Sequence, residues 1–284
     1  MIKKAVIPAA GLGIRLLPAT KEQPKEMLPI LVENANGRLH LKPFLQIVFE
    51  QLYDSGLREV CFVVGRGKKS IEDHFTIDKN FMEYLKSKNK NEHLRSLAGF
   101  YEKVGNSTIA FASQPQPLGL GDAVYRAKFF SGDEDFLVHA GDDLILSSEN
   151  YVQRLVSVFN KYKADAAFFV QKVKDPTMYG VVMGEKIANG IYHVKKIVEK
   201  PSRPPSKLAV VAIYVFNPKI YKAIEKVELG KNNEIQLTDA IQILIDERSA
   251  VYGVELNRCE KRIEIGDPIA YRNAFTTRIF SCSR

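Results

Sequence analysis

Two neighbouring segments concentrate residues suited to phosphate chemistry: Ile7-Pro8-Ala9-Ala10-Gly11-Leu12-Gly13-Ile14-Arg15-Leu16-Leu17-Pro18 and Pro24-Lys25-Glu26-Met27-Leu28-Pro29. Small residues after a short apolar run let backbone N–H groups approach phosphate oxygens, and glycine permits the dihedral angles that aim them inward. Arg15 and Lys25 could then neutralise a triphosphate. Two better-known phosphate loops fail on spacing. A dinucleotide fingerprint needs a third glycine leading at once into a helix, whereas Pro18 and Pro24 predict an extended loop. A P-loop needs Gly-Lys-Ser/Thr, which does not follow.

Carboxylates supply the second kind of chemistry. Asp142 and Asp143 follow the apolar run Phe136 to His139, at the end of a strand where open α/β sheets bind ligands. Hard oxygen ligands suit Mg²⁺, which takes one or two protein carboxylates and fills its shell with phosphate and water. Adjacent carboxylates at a turn also serve as caps or solvated loop residues. Glu199 and Lys200 precede Pro201; neighbours on a strand point to opposite faces, so no mutual salt bridge is expected. Gln114, taken alone, reads as a loop residue. The five histidines lack metal-ligand spacing.

The elements that must position these groups follow from periodicity. Lys4 to Ala9, Val60 to Val64, Thr108 to Ala112 and Phe136 to His139 read as buried strands. Helical patterns at Pro43 to Ser55, Ser70 to Phe75 and Ala123 to Phe130 alternate with them, and Gly56 sits where a C-cap belongs. This alternation predicts an α/β fold, a doubly wound mixed sheet that is mainly parallel. Residues 79 to 99 predict a peripheral helical insertion anchored by Phe81, Tyr84, Leu85, Leu94 and Leu97. After Asp142 a helix at Tyr151 to Tyr162 leads into β-rich segments at Ala166 to Val173, Gly180 to Met183, Ile191 to Val198 and Ala209 to Phe216. Asn189-Gly190 between two of them signals a hairpin. Helices return at Pro218 to Val227 and Gln236 to Glu247, followed by short strands to Ile265 and a helix from Pro268.

Bulk properties narrow the partners. With 284 residues and 45% hydrophobic content, the chain can bury a core without disulfides or metal staples. Cys61, Cys259 and Cys282 form no CxxC pair, which points to a reducing cytoplasm. A formal charge of +8 suits anionic ligands, yet the basic residues are dispersed, with no aromatic-interleaved platform for nucleic acid and no apolar stretch long enough to span a membrane.

The loop at Ala9 to Pro18 and the Pro24 to Pro29 segment resemble the signature of sugar-1-phosphate nucleotidylyltransferases, in particular the bacterial and archaeal UTP–glucose-1-phosphate uridylyltransferases. Pro117-Leu118-Gly119-Leu120-Gly121-Asp122-Ala123, Tyr179-Gly180-Val181-Val182, Val198-Glu199-Lys200-Pro201 and Glu234-Ile235-Gln236-Leu237-Thr238-Asp239-Ala240-Ile241 continue the resemblance in the family's order. It implies a Rossmann-like, GT-A-like nucleotidyltransferase fold: one domain over 1–284, with a nucleotide-binding half at 1–145 and a sugar-phosphate-binding half at 146–284. It further implies UTP and glucose 1-phosphate as substrates, Mg²⁺ as cofactor and a homo-oligomer, dimer or tetramer.

By the same resemblance Ala9, Ala10, Gly11, Gly13, Arg15, Lys25, Gln114 and Gly119 bind the nucleotide. Arg15, Lys25 and Asp142 act on the reacting phosphates, and Gly180, Glu199 and Lys200 bind the sugar phosphate. The Gln114 amide offers a donor and an acceptor to a pyrimidine edge. Asp142 would hold the metal together with Glu264, which stands where relatives carry aspartate. Ile14 replaces a usual threonine, and about Val32 to Leu41 forms a longer connection than relatives carry. Thymidylyltransferase, nucleotide-sugar glycosyltransferase and non-catalytic nucleotide sensor remain as alternatives at this level.

Overall fold

The computed structural model describes residues 2–34, 37–230 and 233–280; Cys282 lies outside them. Period-two alternation in the short apolar runs sets the architecture. In the strand Lys4–Pro8, Ala5 and Ile7 face one apolar cluster while Val6 faces another, so the sheet is buried on both sides. The helices Phe44–Asp54 and Tyr151–Lys161 cover the first face, and Leu120–Arg126, Lys219–Ile224 and Leu237–Asp246 cover the second.

The nine-stranded sheet runs, in spatial order, Thr108–Ser113, Glu59–Val64, Lys4–Pro8, Phe136–His139, Leu208–Phe216, Ala166–Lys172, Val251–Glu255, Ile191–Glu199 and Gly180–Ala188. The first four strands are parallel. Leu208–Phe216 then joins antiparallel to Phe136–His139, placing Ile213 beside His139. The predicted hairpin forms, with Ile191 opposite Ala188 and Gly190 at φ 69°. Gly56, at φ 96°, follows the helix Phe44–Asp54 as a C-terminal glycine should.

Three features correct or extend the expectations. Phe81 and Tyr84 are exposed (48% and 55%); the insertion, helices Lys79–Ser87 and Asn91–Gly105, is anchored by Leu85, Phe100 and Val104. The 32–41 connection, read only as a longer one, joins two strands: Pro29–Glu33 and Leu39–Pro43 pair antiparallel. A further two-stranded sheet joins Asp143–Leu146 to Lys261–Glu264, setting Asp143 opposite Glu264. Cys61 is buried in the sheet, where burial pushes its thiol up to about 12, and Cys259 is exposed, so these two form no disulfide. Among the described residues no helix is long and apolar enough to cross a membrane.

Candidate active site

The glycine loop leaves the C-terminal end of Lys4–Pro8. Ala9 still belongs to the sheet: its N–H donates to Val63 O at 2.8 Å and its side chain is buried. From Ala10 the chain turns outward. Gly13 sits at φ +67°, and a Cβ there would lie 3.0 Å from Thr20 Cβ, so only glycine fits without strain. Thr20 Oγ1 donates to Gly13 O at 2.8 Å, a clamp on the loop that sequence reading missed. Ile14–Leu16 and Lys25–Met27 are single 3₁₀ turns within the extended segment the prolines predict.

Ala10, Gly11, Gly13, Arg15, Lys25, Gln114 and Gly119 line a cavity of about 690 Å³. Ala9 supports the wall from behind and does not line it. An adjoining cavity of about 650 Å³ is walled by Gly180, Glu199, Lys200, Tyr179, Thr238 and Glu264. Arg15, Asp142, Glu199 and Lys200 border both cavities.

At the junction Lys25 Nζ lies 2.5 Å from Asp142 Oδ2. Burial disfavours the Lys25 ammonium, but Asp142 and Glu26 outweigh it and hold its pKa above the ordinary lysine value. Asp142 shows the converse: burial raises its carboxyl, Lys25 more than compensates, and the result lies below the usual range. Both groups are therefore charged near neutrality. Beneath them Glu26, 2% exposed, is paired with buried Lys68 at 3.0 Å. Burial comes first in pushing the Glu26 carboxyl up, against the pull of Lys68 and Lys25.

Glu199 ends its strand with both oxygens engaged. Oε1 meets Lys200 Nζ at 3.2 Å and Oε2 accepts from Thr238 Oγ1 at 3.0 Å. The expected segregation of Glu199 and Lys200 to opposite faces is thus corrected. Lys200 has left the strand with φ +38°, so strand alternation no longer governs it. Gly180 faces the same carboxylate: a Cβ there would stand 2.7 Å from Thr238 Cγ2 and 3.2 Å from Glu199 Oε2.

The neighbouring acids are unequal. Asp143 is buried and gripped by Arg262, whose Nε and Nη2 donate at 2.7 and 2.8 Å. Arg262 Nη2 also donates to Glu264 Oε2 at 2.8 Å. Burial raises the Glu264 carboxyl, Arg262 opposes that, and Asp143, Asp142 and Asp267 push it further up. Asp142 and Glu264 thus both line the second cavity, each beside a cation, while Asp143 is committed to structure. Among the described residues no group of three or more potential metal ligands is gathered.

Gln114 departs from its expected role in one respect. Its Nε2 donates to Asp122 Oδ2 at 2.9 Å and to Gly119 O at 3.0 Å. Both partners are acceptors, so the amide nitrogen must face them and both its hydrogens are used. Only Oε1 is left for a ligand, rather than a donor and an acceptor together.

A glycine loop at strand ends, two adjoining cavities and converging cations define a nucleotide-handling α/β enzyme. The chain belongs to the nucleotidyl transferase family, whose signature matches residues 4–276. It is 40% identical over 245 residues to a UTP–glucose-1-phosphate uridylyltransferase of Bacillus subtilis, covering 85% of this chain and 78% of that protein. A UDP-glucose pyrophosphorylase solved in complex with UDP-glucose superposes with a TM-score of 0.81 at 33% identity, covering 97% of each chain. A UTP-bound enzyme of the same kind from Acinetobacter baumannii gives 0.84 at 32% identity, covering 97% of this chain and 92% of the other.

Proposed function

We propose that this protein transfers a uridylyl group from UTP to glucose 1-phosphate, giving UDP-glucose and pyrophosphate, with Mg²⁺ as cofactor. The observation that carries the reading is the pair of adjoining cavities bordered jointly by Arg15, Asp142, Glu199 and Lys200. The names of the relatives and the UTP and UDP-glucose complexes support the choice of substrates.

A phosphate oxygen of glucose 1-phosphate attacks the α-phosphorus of UTP, and the bond to the pyrophosphate oxygen breaks. The attacking group is already anionic, so no general base is required. The protein's task is to hold two polyanions together and stabilise the transferring group. Backbone N–H groups from Ala10 to Gly13 cradle the triphosphate, and Arg15 and Lys25 balance its charge. Lys200 takes the sugar phosphate, and Glu199, held by Thr238, accepts from sugar hydroxyls. Gln114 Oε1 accepts from the base.

The residues fit a divalent cation. Asp142 and Glu264 face one cavity, and their mutual repulsion contributes to the raised Glu264 carboxyl, a repulsion a cation would relieve. Two carboxylates are within the usual protein contribution to Mg²⁺, which completes its shell with phosphate and water. When bound it would supply charge neutralisation for the transferring phosphate. A pyrophosphate-release matrix of UTP, dTTP, ATP and GTP against several sugar 1-phosphates tests the assignment. UTP with glucose 1-phosphate should be the best pair. Uracil and thymine both carry the N3–H that Gln114 Oε1 would accept, so dTTP should be used measurably; a single methyl discriminates by only about 1–3 kcal/mol. A purine nucleotide outperforming UTP would overturn the uridylyl reading.

A further inference from the structure

We infer that Asp122 is the positioning residue that sets pyrimidine specificity: it fixes the amide orientation of Gln114 so that the site accepts a base protonated at N3 and rejects cytosine. The inference rests on the nucleotide cavity of the proposed function and deepens it by naming what selects the base.

The backbone around both residues is fixed. Gln114 follows the strand Thr108–Ser113, and its N–H donates to Val64 O at 2.8 Å. Asp122 lies in the first turn of Leu120–Arg126 and is 4% exposed. That turn is pinned against residue 235: Gly121 N donates to Ile235 O at 2.9 Å, and a Cβ at Gly119 or Gly121 would come within 2.8 or 2.7 Å of the same oxygen.

A glutamine amide can present either end. Here the choice is made by Asp122 Oδ2 and Gly119 O, neither of which can donate. Asp122 is in turn held on its other oxygen, where Arg126 Nε donates to Oδ1 at 3.1 Å and Nη2 lies 3.0 Å away. Arg126 and Gln114 therefore both donate to the Asp122 carboxylate, one to each oxygen, and the end of the Gln114 amide left over is Oε1. Uracil offers N3–H to such an acceptor. Cytosine offers a bare N3, so acceptor would face acceptor in a desolvated cavity.

Asp122→Asn tests this with almost no change of shape. Arg126 still claims the one oxygen of the substituted side chain, whose NH₂ then turns towards the NH₂ of Gln114 and drives that amide out of its orientation. Adding Arg126→Ala frees the substituted side chain to turn its oxygen back to Gln114. Affinities for UTP and CTP, measured by calorimetry with Mg²⁺ present, read the result without relying on turnover. We expect the wild type to prefer UTP by roughly tenfold or more, Asp122→Asn to lose most of that preference, and Asp122→Asn/Arg126→Ala to recover it in part. A wild type that binds both equally, a preference unchanged in Asp122→Asn, or a double variant with no recovery would each overturn the inference. Should Asp122→Asn fail to fold, Asp122→Ala, which removes the acceptor that fixes the Gln114 amide, carries the test: loss of preference supports the inference and retention overturns it. A wild type that selects UTP yet releases no pyrophosphate would sink the proposed reaction and leave the base lock standing.

Discussion

Lys25 Nζ and Asp142 Oδ2 meet at 2.5 Å although 117 positions separate them in the chain. The pair joins the loop after the first strand to the turn after the fourth strand of the sheet, and each side chain neutralises the other until substrates arrive. Lys25→Ala and Asp142→Asn should each lower kcat by roughly 10²-fold or more, because both remove charge that matters most as the transition state forms. Steady-state pyrophosphate release, with circular dichroism to verify folding, checks this. Near-normal turnover in either variant would remove the pair from the mechanism.

Glu199 accepts from Thr238 and is paired with Lys200, so its orientation is set before any sugar binds. Glu199→Gln should weaken glucose 1-phosphate by roughly ten- to a hundredfold, the worth of a charged hydrogen bond at about 1.5–3 kcal/mol, and leave UTP binding intact. Thr238→Val should raise KM for the sugar phosphate by a smaller factor. Calorimetric titration of each ligand separately distinguishes the subsites; a fall in UTP affinity instead would mean that Glu199 belongs to the nucleotide.

Glu264 already accepts from Arg262, which competes with any cation for its carboxylate. If it shares the cation with Asp142, Glu264→Ala should raise the Mg²⁺ concentration for half-maximal activity and Glu264→Asp should not. An alanine variant with an unchanged Mg²⁺ titration leaves Asp142 as the only protein ligand.

His74 gives the fold an acid sensitivity remote from catalysis. Burial lowers its pKa from 6.5 to about 4, with Glu50 opposing. Gln46 Nε2 donates to Glu50, which leaves Gln46 Oε1 to accept from neutral His74 Nε2 at 3.1 Å. Below the unfolded value the unfolded chain binds a proton that the folded one refuses. Stability is therefore complete above about pH 6.5 and falls towards pH 4, by at most roughly 3 kcal/mol. Urea titrations across that window should show the decline, and His74→Gln should flatten it.

Much of the site is legible in the sequence because its parts are local. Glycines and prolines mark the loop, and strand-end positions mark Asp142 and Glu199. What escapes is set by contacts between distant segments. Arg262 reaches Asp143 only because Lys261–Glu264 pairs with Asp143–Leu146, and no periodicity forecasts that pairing. Phe81 and Tyr84 sit on a correctly placed helix, but the face it buries depends on its packing against the neighbouring helix Asn91–Gly105. Lys200 escapes because strand alternation ends one residue before it, at Glu199. Gln114 reads alone as a loop residue and is reached only through the family resemblance, and the end of its amide left for a ligand depends on Asp122, eight residues on.

The shared border of the two cavities bears on what happens after the bond is made. Arg15, Asp142, Glu199 and Lys200 serve both chambers, so the molecule formed by joining the two occupants stays gripped at both ends. When one end lets go, the other keeps it at an effective concentration of the order of millimolar, and recapture competes with escape. If the chain carries out the proposed transfer, departure of the finished molecule, rather than chemistry, is the expected limit on the rate at saturation. Raising solvent viscosity with sucrose should slow kcat nearly in proportion, and a kcat indifferent to viscosity would place the slow step back at phosphorus.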